Sequence, residues 1–265
     1  MSNLSFVTAG DGCKIAYRFD GEADKPVLVL SNSIGTTLAM WDEQITALAE
    51  HFYLLRYDSR GHGDSDAPAG AYSIARLGRD VVELLDALRL HKVFFCGLSL
   101  GGMVGQWLGV HAPERIEKLV LANTASYLGP AAQWDERIAE LKPQMEMNEV
   151  AEGFLANWFS AEYRQRHAAT IDKFRTILLA TSAQGLAGCF AAVRDLDMRR
   201  TVALITSPTL IIAGLDDKVT ALSHSELLAR TVPEAELLVL PVVHLSNVER
   251  PDDFVTALRT FLLGQ

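Results

Sequence analysis

The chain has 265 residues, 49% of them hydrophobic and 22% charged, with a formal net charge of -9. That size and balance fit one large globular α/β domain whose core needs no metal or disulfide staple. The acidic balance argues against a nucleic-acid surface, and any anionic ligand would need a locally positive pocket.

In chain order, the opening MSNLSFVTAGDG has neither a basic nor a long apolar leader-like stretch, so a cytoplasmic location is the default expectation. Two short strands are predicted around Leu4–Thr8 and Cys13–Phe19, joined by the turn signal Gly10-Asp11-Gly12. Val27-Leu28-Val29-Leu30 is apolar at every position, as in a parallel strand buried on both faces. Similar runs recur at Phe52–Tyr57, Val93–Cys96, Ile116–Ala122, Thr209–Ala213 and Glu236–Leu240. Between them, Trp41–Ala49, Ile74–Leu90, Met103–Val110, Ser223–Thr231 and Asp252–Leu263 carry apolar residues at helical spacing. Strands alternating with helices predict βαβ units and a mostly parallel, eight-stranded sheet.

The alternation stops between about Gly129 and Arg200, where the pattern is helical throughout, with Pro130 and Pro208 near its borders. The expected organisation is therefore a core of residues 1–128 and 201–265 with a helical cap at 129–200. No segment approaches the ~20 apolar residues that span a bilayer, so no membrane association is expected. Cys13, Cys96 and Cys189 are widely spaced without a CxxC pair and read as buried apolar thiols rather than a disulfide framework or zinc site.

The segment Val93-Phe94-Phe95-Cys96-Gly97-Leu98-Ser99-Leu100-Gly101-Gly102 runs from strand to helix through G-x-S-x-G. This resembles the nucleophile elbow of the α/β-hydrolase fold, in which a strained serine projects above the sheet. It has neither a P-loop ending nor GxGxxG spacing. A serine hydroxyl needs a base to accept its proton, and in this fold the chain order is serine, acid, histidine. Of the three histidines that follow Ser99 by enough sequence to fit, His167 falls in the cap and His224 in a helical stretch. His244 follows the last strand, at the carboxyl edge where open α/β sheets bind ligands. The acid should follow Thr209–Ala213, where Asp216 and Asp217 compete; the fold's spacing from Gly214 favours Asp217. The alternative acid position after the sixth strand reads Ala122-Asn123-Thr124. The oxyanion hole should pair the Leu100 N–H with that of Ile34, from the loop Ser31-Asn32-Ser33-Ile34-Gly35. The segment Asp58–Ser65, rich in His and Asp, reads as a structural turn, and no cluster with metal-ligand spacing accompanies it.

Ser31–Thr37 with Met40-Trp41, Tyr57–Gly63, Cys96–Met103 and His244-Leu245-Ser246-Asn247 together resemble the 3-oxoadipate enol-lactonases. Val242-Val243 before His244, and Leu215-Asp216 before the acid, depart from that pattern and could shift the pocket's shape. The resemblance implies hydrolysis of 3-oxoadipate enol-lactone through an acyl-enzyme, in aromatic degradation, with no cofactor and a small lactone carboxylate as partner. Trp134 is expected to wall the pocket, and Arg194 to anchor the carboxylate, with Arg137 and Lys173 as further candidates. Rival expectations are another carboxylesterase, perhydrolase or carbon–carbon bond hydrolase on the same scaffold. A slow-turnover ligand-sensing receptor is a third.

Overall fold

A computed structural model describes residues 4–141 and 147–264. The eight strands are β1 (Ser5–Thr8), β2 (Lys14–Asp20), β3 (Val27–Ser31), β4 (Tyr53–Tyr57), β5 (Val93–Leu98), β6 (Ile116–Ala122), β7 (Thr209–Gly214) and β8 (Glu236–Leu240). They form one sheet in the order β1-β2-β4-β3-β5-β6-β7-β8. β1 and β2 run antiparallel at one end, and β3 through β8 are parallel. β3, β5 and β7 are interior strands, and their unbroken apolar runs are buried against helices on both faces.

β8 departs from the expectation of a strand buried on both faces. It is the edge of the sheet, and Leu237 and Val239 are each 39% exposed. Its apolar run signals strand formation, but whether a neighbour covers it depends on strand order.

The α/β core carries α1 (Ile45–Ala49), α2 (Ile74–Ala87) and α3 (Leu100–His111) before the cap. Within the insertion between β6 and β7, the described residues form α4 (Ala131–Glu140), α5 (Asn148–Trp158), α6 (Ala161–Arg166), α7 (Ala168–Ala180) and α8 (Ala183–Arg194). The chain ends with α9 (Leu222–Thr231), α10 (Ser246–Glu249) and α11 (Pro251–Leu263). Among the described residues no single helix is long and apolar enough to cross a membrane.

Local chemistry sets several boundaries. Ser73 caps α2 by accepting the Arg76 N–H, and Pro251 opens α11, which Gly264 closes in a left-handed conformation. α2 stops at Ala87, short of the expected Leu90, because Arg89 turns to a φ of +56° and brings Leu90 back against the core. Trp41 lies in a 3₁₀ turn, Leu38–Gln44, that precedes α1. α3 begins at Leu100, three residues before the apolar periodicity starts.

The two faces of the sheet have separate cores. α2, α3 and α9 pack Leu77, Val81, Met103, Leu108 and Leu228 on one face, while α1 and α11 pack Leu48, Phe254 and Leu258 on the other. The cap contributes to both, with Trp134 and Phe190 on the first side and Leu155, Trp158 and Phe174 on the second. Burial of this kind on two fronts fixes the cap over the carboxyl ends of the parallel strands.

A buried ion pair holds the turn after β4. The Arg60 guanidinium meets Asp80 of α2 through two hydrogen bonds of 2.6 Å, with both side chains 3% exposed. Asp11 adds a more exposed contact at 2.9 Å. Removing one partner of a buried pair leaves a stranded charge. Asp80→Ala should therefore cost about 3–5 kcal/mol in urea unfolding, and Asp11→Ala about 1 kcal/mol or less. Equal losses in the two variants would contradict this division.

Candidate active site

Ser99 stands between β5 and α3 with φ +58° and ψ −114°, a conformation that non-glycine residues rarely hold. The glycines around it make the bend sterically feasible. A Cβ on Gly97 would lie 2.1 Å from the Gly101 carbonyl oxygen, and one on Gly101 would lie 2.2 Å from that of Ser31. The main chain is pinned on each side: the Ser99 N–H donates to the Ala122 carbonyl at 2.9 Å, and the Ser99 carbonyl accepts the Thr124 hydroxyl at 2.8 Å.

The structure brings the three sequence candidates together in one line. His244 Nε2 lies 3.0 Å from Ser99 Oγ, and His244 Nδ1 lies 2.8 Å from Asp217 Oδ2. The ionised carboxylate can only accept, so Nδ1 carries the ring proton and Nε2 is free to accept from the serine hydroxyl. His244 follows β8 and Asp217 follows β7, so both loops leave the same edge of the sheet as Ser99. Asp216 takes no part: its side chain is exposed, and its N–H donates to the Val242 carbonyl.

Asp217 is held from five directions. Oδ1 accepts the N–H groups of Val219 and Thr220, at 2.8 and 3.0 Å. Oδ2 accepts the Thr220 hydroxyl at 2.8 Å and the Asn123 amide at 3.0 Å, besides His244. Burial alone would push this carboxyl up. The electrostatic attraction of the adjacent His244 ring and the hydrogen bonds from His244, Asn123 and Thr220 outweigh it and leave the carboxyl below its ordinary value. The acid thus stays ionised beside the imidazole.

Asn123, Ser246 and Glu249 are contributors that sequence reasoning passed over. Asn123 has a φ of +43°, donates to both Asp217 and the Val243 carbonyl, and accepts the Ser246 hydroxyl at 2.6 Å. It joins the acid loop to the histidine loop. The available signal was an amide directly after the apolar run Ile116–Ala122, in the position where an acid can also stand. Glu249 bonds to the Val243 N–H from α10.

On the other side of Ser99, Ile34 and Leu100 both line the cavity. Neither N–H donates to a protein group among the described residues, and Leu100 is the first residue of α3, whose positive dipole end faces the same space. The loop bearing Ile34 is buttressed from below. Asn32 accepts the Trp41 indole N–H and donates to the Tyr57 carbonyl, while its own carbonyl accepts the Gly101 N–H.

The Asp58–Ser65 turn is structural, and it reaches this loop directly. The Gly35 N–H donates to His62 Nε2 at 2.8 Å, which requires a neutral imidazole with its proton on Nδ1, facing the Arg60 carbonyl. Burial depresses the pKa of His62 to about 4. Asp58 accepts the N–H groups of Leu38 and Asp64, and its burial, opposed by those bonds, raises its pKa to about 6.

Above the serine lies a cavity of about 220 Å³, below the roughly 300–1,000 Å³ common for drug-sized ligands. Trp134 lines it as expected, with its indole N–H donating to the Leu128 carbonyl at 2.6 Å. Phe154, Trp158 and Phe190 extend the aromatic wall. Arg194 does not line it. Its guanidinium is engaged by Asp135 and Asp195 at the surface, which neutralises it where it stands. Lys173 is likewise held outside, by Asp42 and the Ala39 carbonyl. Arg137 does line the cavity, 4.9 Å over the Trp134 ring, and pairs with no carboxylate among the described residues. Lys218 is a second cation at the rim, found next to the acid in sequence. Val242, Val243, Leu215 and Asp216 do not line the cavity, so these departures do not shape its wall. Among the described residues, no group of three or more His, Cys, Asp or Glu side chains could hold a metal ion.

A mostly parallel sheet, an elbow serine and a helical cap define an α/β-hydrolase. Comparison with known proteins agrees: residues 26–251 match the alpha/beta hydrolase fold family, and the chain belongs to it. The chain is 38% identical to 3-oxoadipate enol-lactonase 2 of Acinetobacter baylyi, covering 93% of this chain and 92% of that one. Among solved structures, a hydrolase from Pseudomonas aeruginosa PA01 shares 58% identity, with a TM-score of 0.96 and 98% coverage of each chain. The enol-lactonase from Burkholderia xenovorans LB400 shares 36% identity, with a TM-score of 0.95 over 98% of this chain and 100% of that one. The chain is thus a hydrolase within a line that includes enzymes cleaving an ester bond.

The neutral His62 yields a pH prediction. Its pKa falls on folding, so its stabilising effect is complete above the free value of about 6.5 and is lost as the pH drops toward about 4. The stability gap between the native chain and His62→Asn should narrow by about 2–3 kcal/mol between pH 7 and pH 4.5. Urea unfolding at the two pH values measures this; a constant gap would rule out the neutral buttress.

Proposed function

We propose that the chain hydrolyses 3-oxoadipate enol-lactone to 3-oxoadipate, in the β-ketoadipate route of aromatic degradation, through an acyl-enzyme on Ser99. The observation that carries this reading is the continuous line Ser99–His244–Asp217 at the floor of a small aromatic cavity with Arg137 on its wall. The relatives named as enol-lactonases support the choice of substrate.

In the first half-reaction Ser99 Oγ attacks the lactone carbonyl carbon while His244 Nε2 takes the hydroxyl proton. The carbonyl oxygen gains the negative charge, facing the N–H groups of Ile34 and Leu100. Asp217 holds the imidazole in its tautomer and stabilises the imidazolium that forms. Collapse of this intermediate breaks the ring C–O bond. The leaving group is an enolate, less basic than an alkoxide, and it takes the proton back from His244 to become an enol that settles as the ketone. In the second half-reaction His244 removes a proton from water, the hydroxide attacks the acyl carbon, and the Ser99 C–O bond breaks. Serine recovers its proton and the new carboxylate leaves. Every step is met by side chains and backbone of this chain, so no cofactor enters the scheme.

The carboxylate that the lactone already carries takes Arg137 in place of Arg194. Arg137 lines the cavity, 4.9 Å over the Trp134 ring, and pairs with no carboxylate among the described residues, which leaves its charge for the substrate. Substrates without a carboxylate use the same triad and forgo this anchor.

Two variants test the proposal by the loss of ultraviolet absorbance of the lactone. Ser99→Ala should reduce kcat by about a thousandfold or more. Arg137→Leu should raise KM for the lactone about tenfold or more, with a smaller effect on an uncharged acetate ester. If the native chain leaves the lactone intact while cleaving the ester through Ser99, the substrate assignment falls and the triad stands.

A further inference from the structure

The histidine loop is tied to the cap by contacts that take no part in the relay. Glu249 in α10 uses both carboxylate oxygens: Oε2 accepts the Val243 N–H at 2.8 Å, and Oε1 accepts the Ser160 N–H at 2.8 Å. Val243 precedes His244, and Ser160 is the N-terminal cap of α6, two residues after α5 ends. Alongside, the Trp158 carbonyl accepts the N–H groups of both His244 and Leu245 at 3.2 Å. The Tyr163 hydroxyl donates to the Val248 carbonyl at 3.2 Å.

We propose that Glu249 is a positioning residue for the catalytic base: it clamps the main chain ahead of His244 to the cap, and so couples the base to α5. The inference rests on the triad reading above. Two N–H groups donate to one charged acceptor, and such bonds are about twice as strong as those between neutral groups. Without the carboxylate, the Val243 N–H loses its only protein acceptor among the described residues. The imidazole must hold two short hydrogen bonds at once, to Ser99 and to Asp217. A displacement of about 1 Å in a catalytic group can cost roughly a hundredfold in rate. The other end of the clamp leads into α5, whose Phe154 and Trp158 line the substrate cavity. The wall that meets the substrate and the base that receives the proton therefore share one carboxylate.

The experiment compares native chain, Glu249→Gln and Glu249→Ala on 4-nitrophenyl acetate, with active sites counted by a fluorophosphonate burst and melting followed in parallel. Glutamine keeps one acceptor oxygen and alanine keeps none. Positioning predicts that kcat per titrated site falls about tenfold or more in Glu249→Ala and less in Glu249→Gln, with KM for this small ester within about twofold of native. A purely structural role would lower the number of titratable sites and the melting temperature, leaving kcat per site intact, and that result overturns the proposal. Native kcat per site in both variants overturns it as well. Failure of the native chain to turn over the ester through Ser99 would overturn the triad reading and this inference with it.

Discussion

The backbone of Ser99 is the constraint on which the site is built. A non-glycine residue in this conformation stores strain of about 1–3 kcal/mol, and the surrounding structure must over-determine it. Here the restraint comes from the two strands that flank β5. β6 supplies the Ala122 carbonyl, the chain just beyond it supplies the Thr124 hydroxyl, and the chain after β3 supplies the Asn32 carbonyl for Gly101. Each of these positions follows from the parallel register of β3, β5 and β6. The serine oxygen is therefore placed by the sheet as a whole, and α3 can begin directly behind it.

Around that fixed point, each remaining function comes from a separate loop at the same edge, and each loop is braced by a residue with no chemical step of its own. Asn123 and Thr220 brace the acid, Ser246 and Glu249 brace the histidine loop, and His62 with Asn32 braces the Ile34 loop. Apart from the half-buried Glu249, these bracing residues are buried polar groups with partners, which a core tolerates where their geometry is used. The cap adds the aromatic wall and the cation.

Much of this was legible in the sequence. Ser99, Asp217 and His244 could be found because each sits after an apolar strand whose period is distinct from the helices around it. The choice of Asp217 over Asp216 rested on spacing, and the structure separates the two by burial. What the sequence did not disclose was pairing at a distance. Arg194 and Arg137 look alike as cap cations, and only folding shows that Asp135 and Asp195 occupy the first while Trp134 underlies the second. The role of Asn123 was hidden because an amide at a strand end has no periodic signature, and its partners lie 94 and 120 residues away. β8 reads as an interior strand by composition because its edge position depends on sheet order.

The stacking of Arg137 on Trp134 has a consequence for capture. The whole chain carries a net charge of -9, so its distant field repels a carboxylate-bearing molecule while the cavity attracts it. Salt at physiological strength screens exposed charges beyond about 8 Å, which weakens the long-range repulsion more than a contact made inside the cavity. For an anionic substrate, then, a moderate rise in ionic strength favours encounter, the reverse of what electrostatic steering by a basic surface would give.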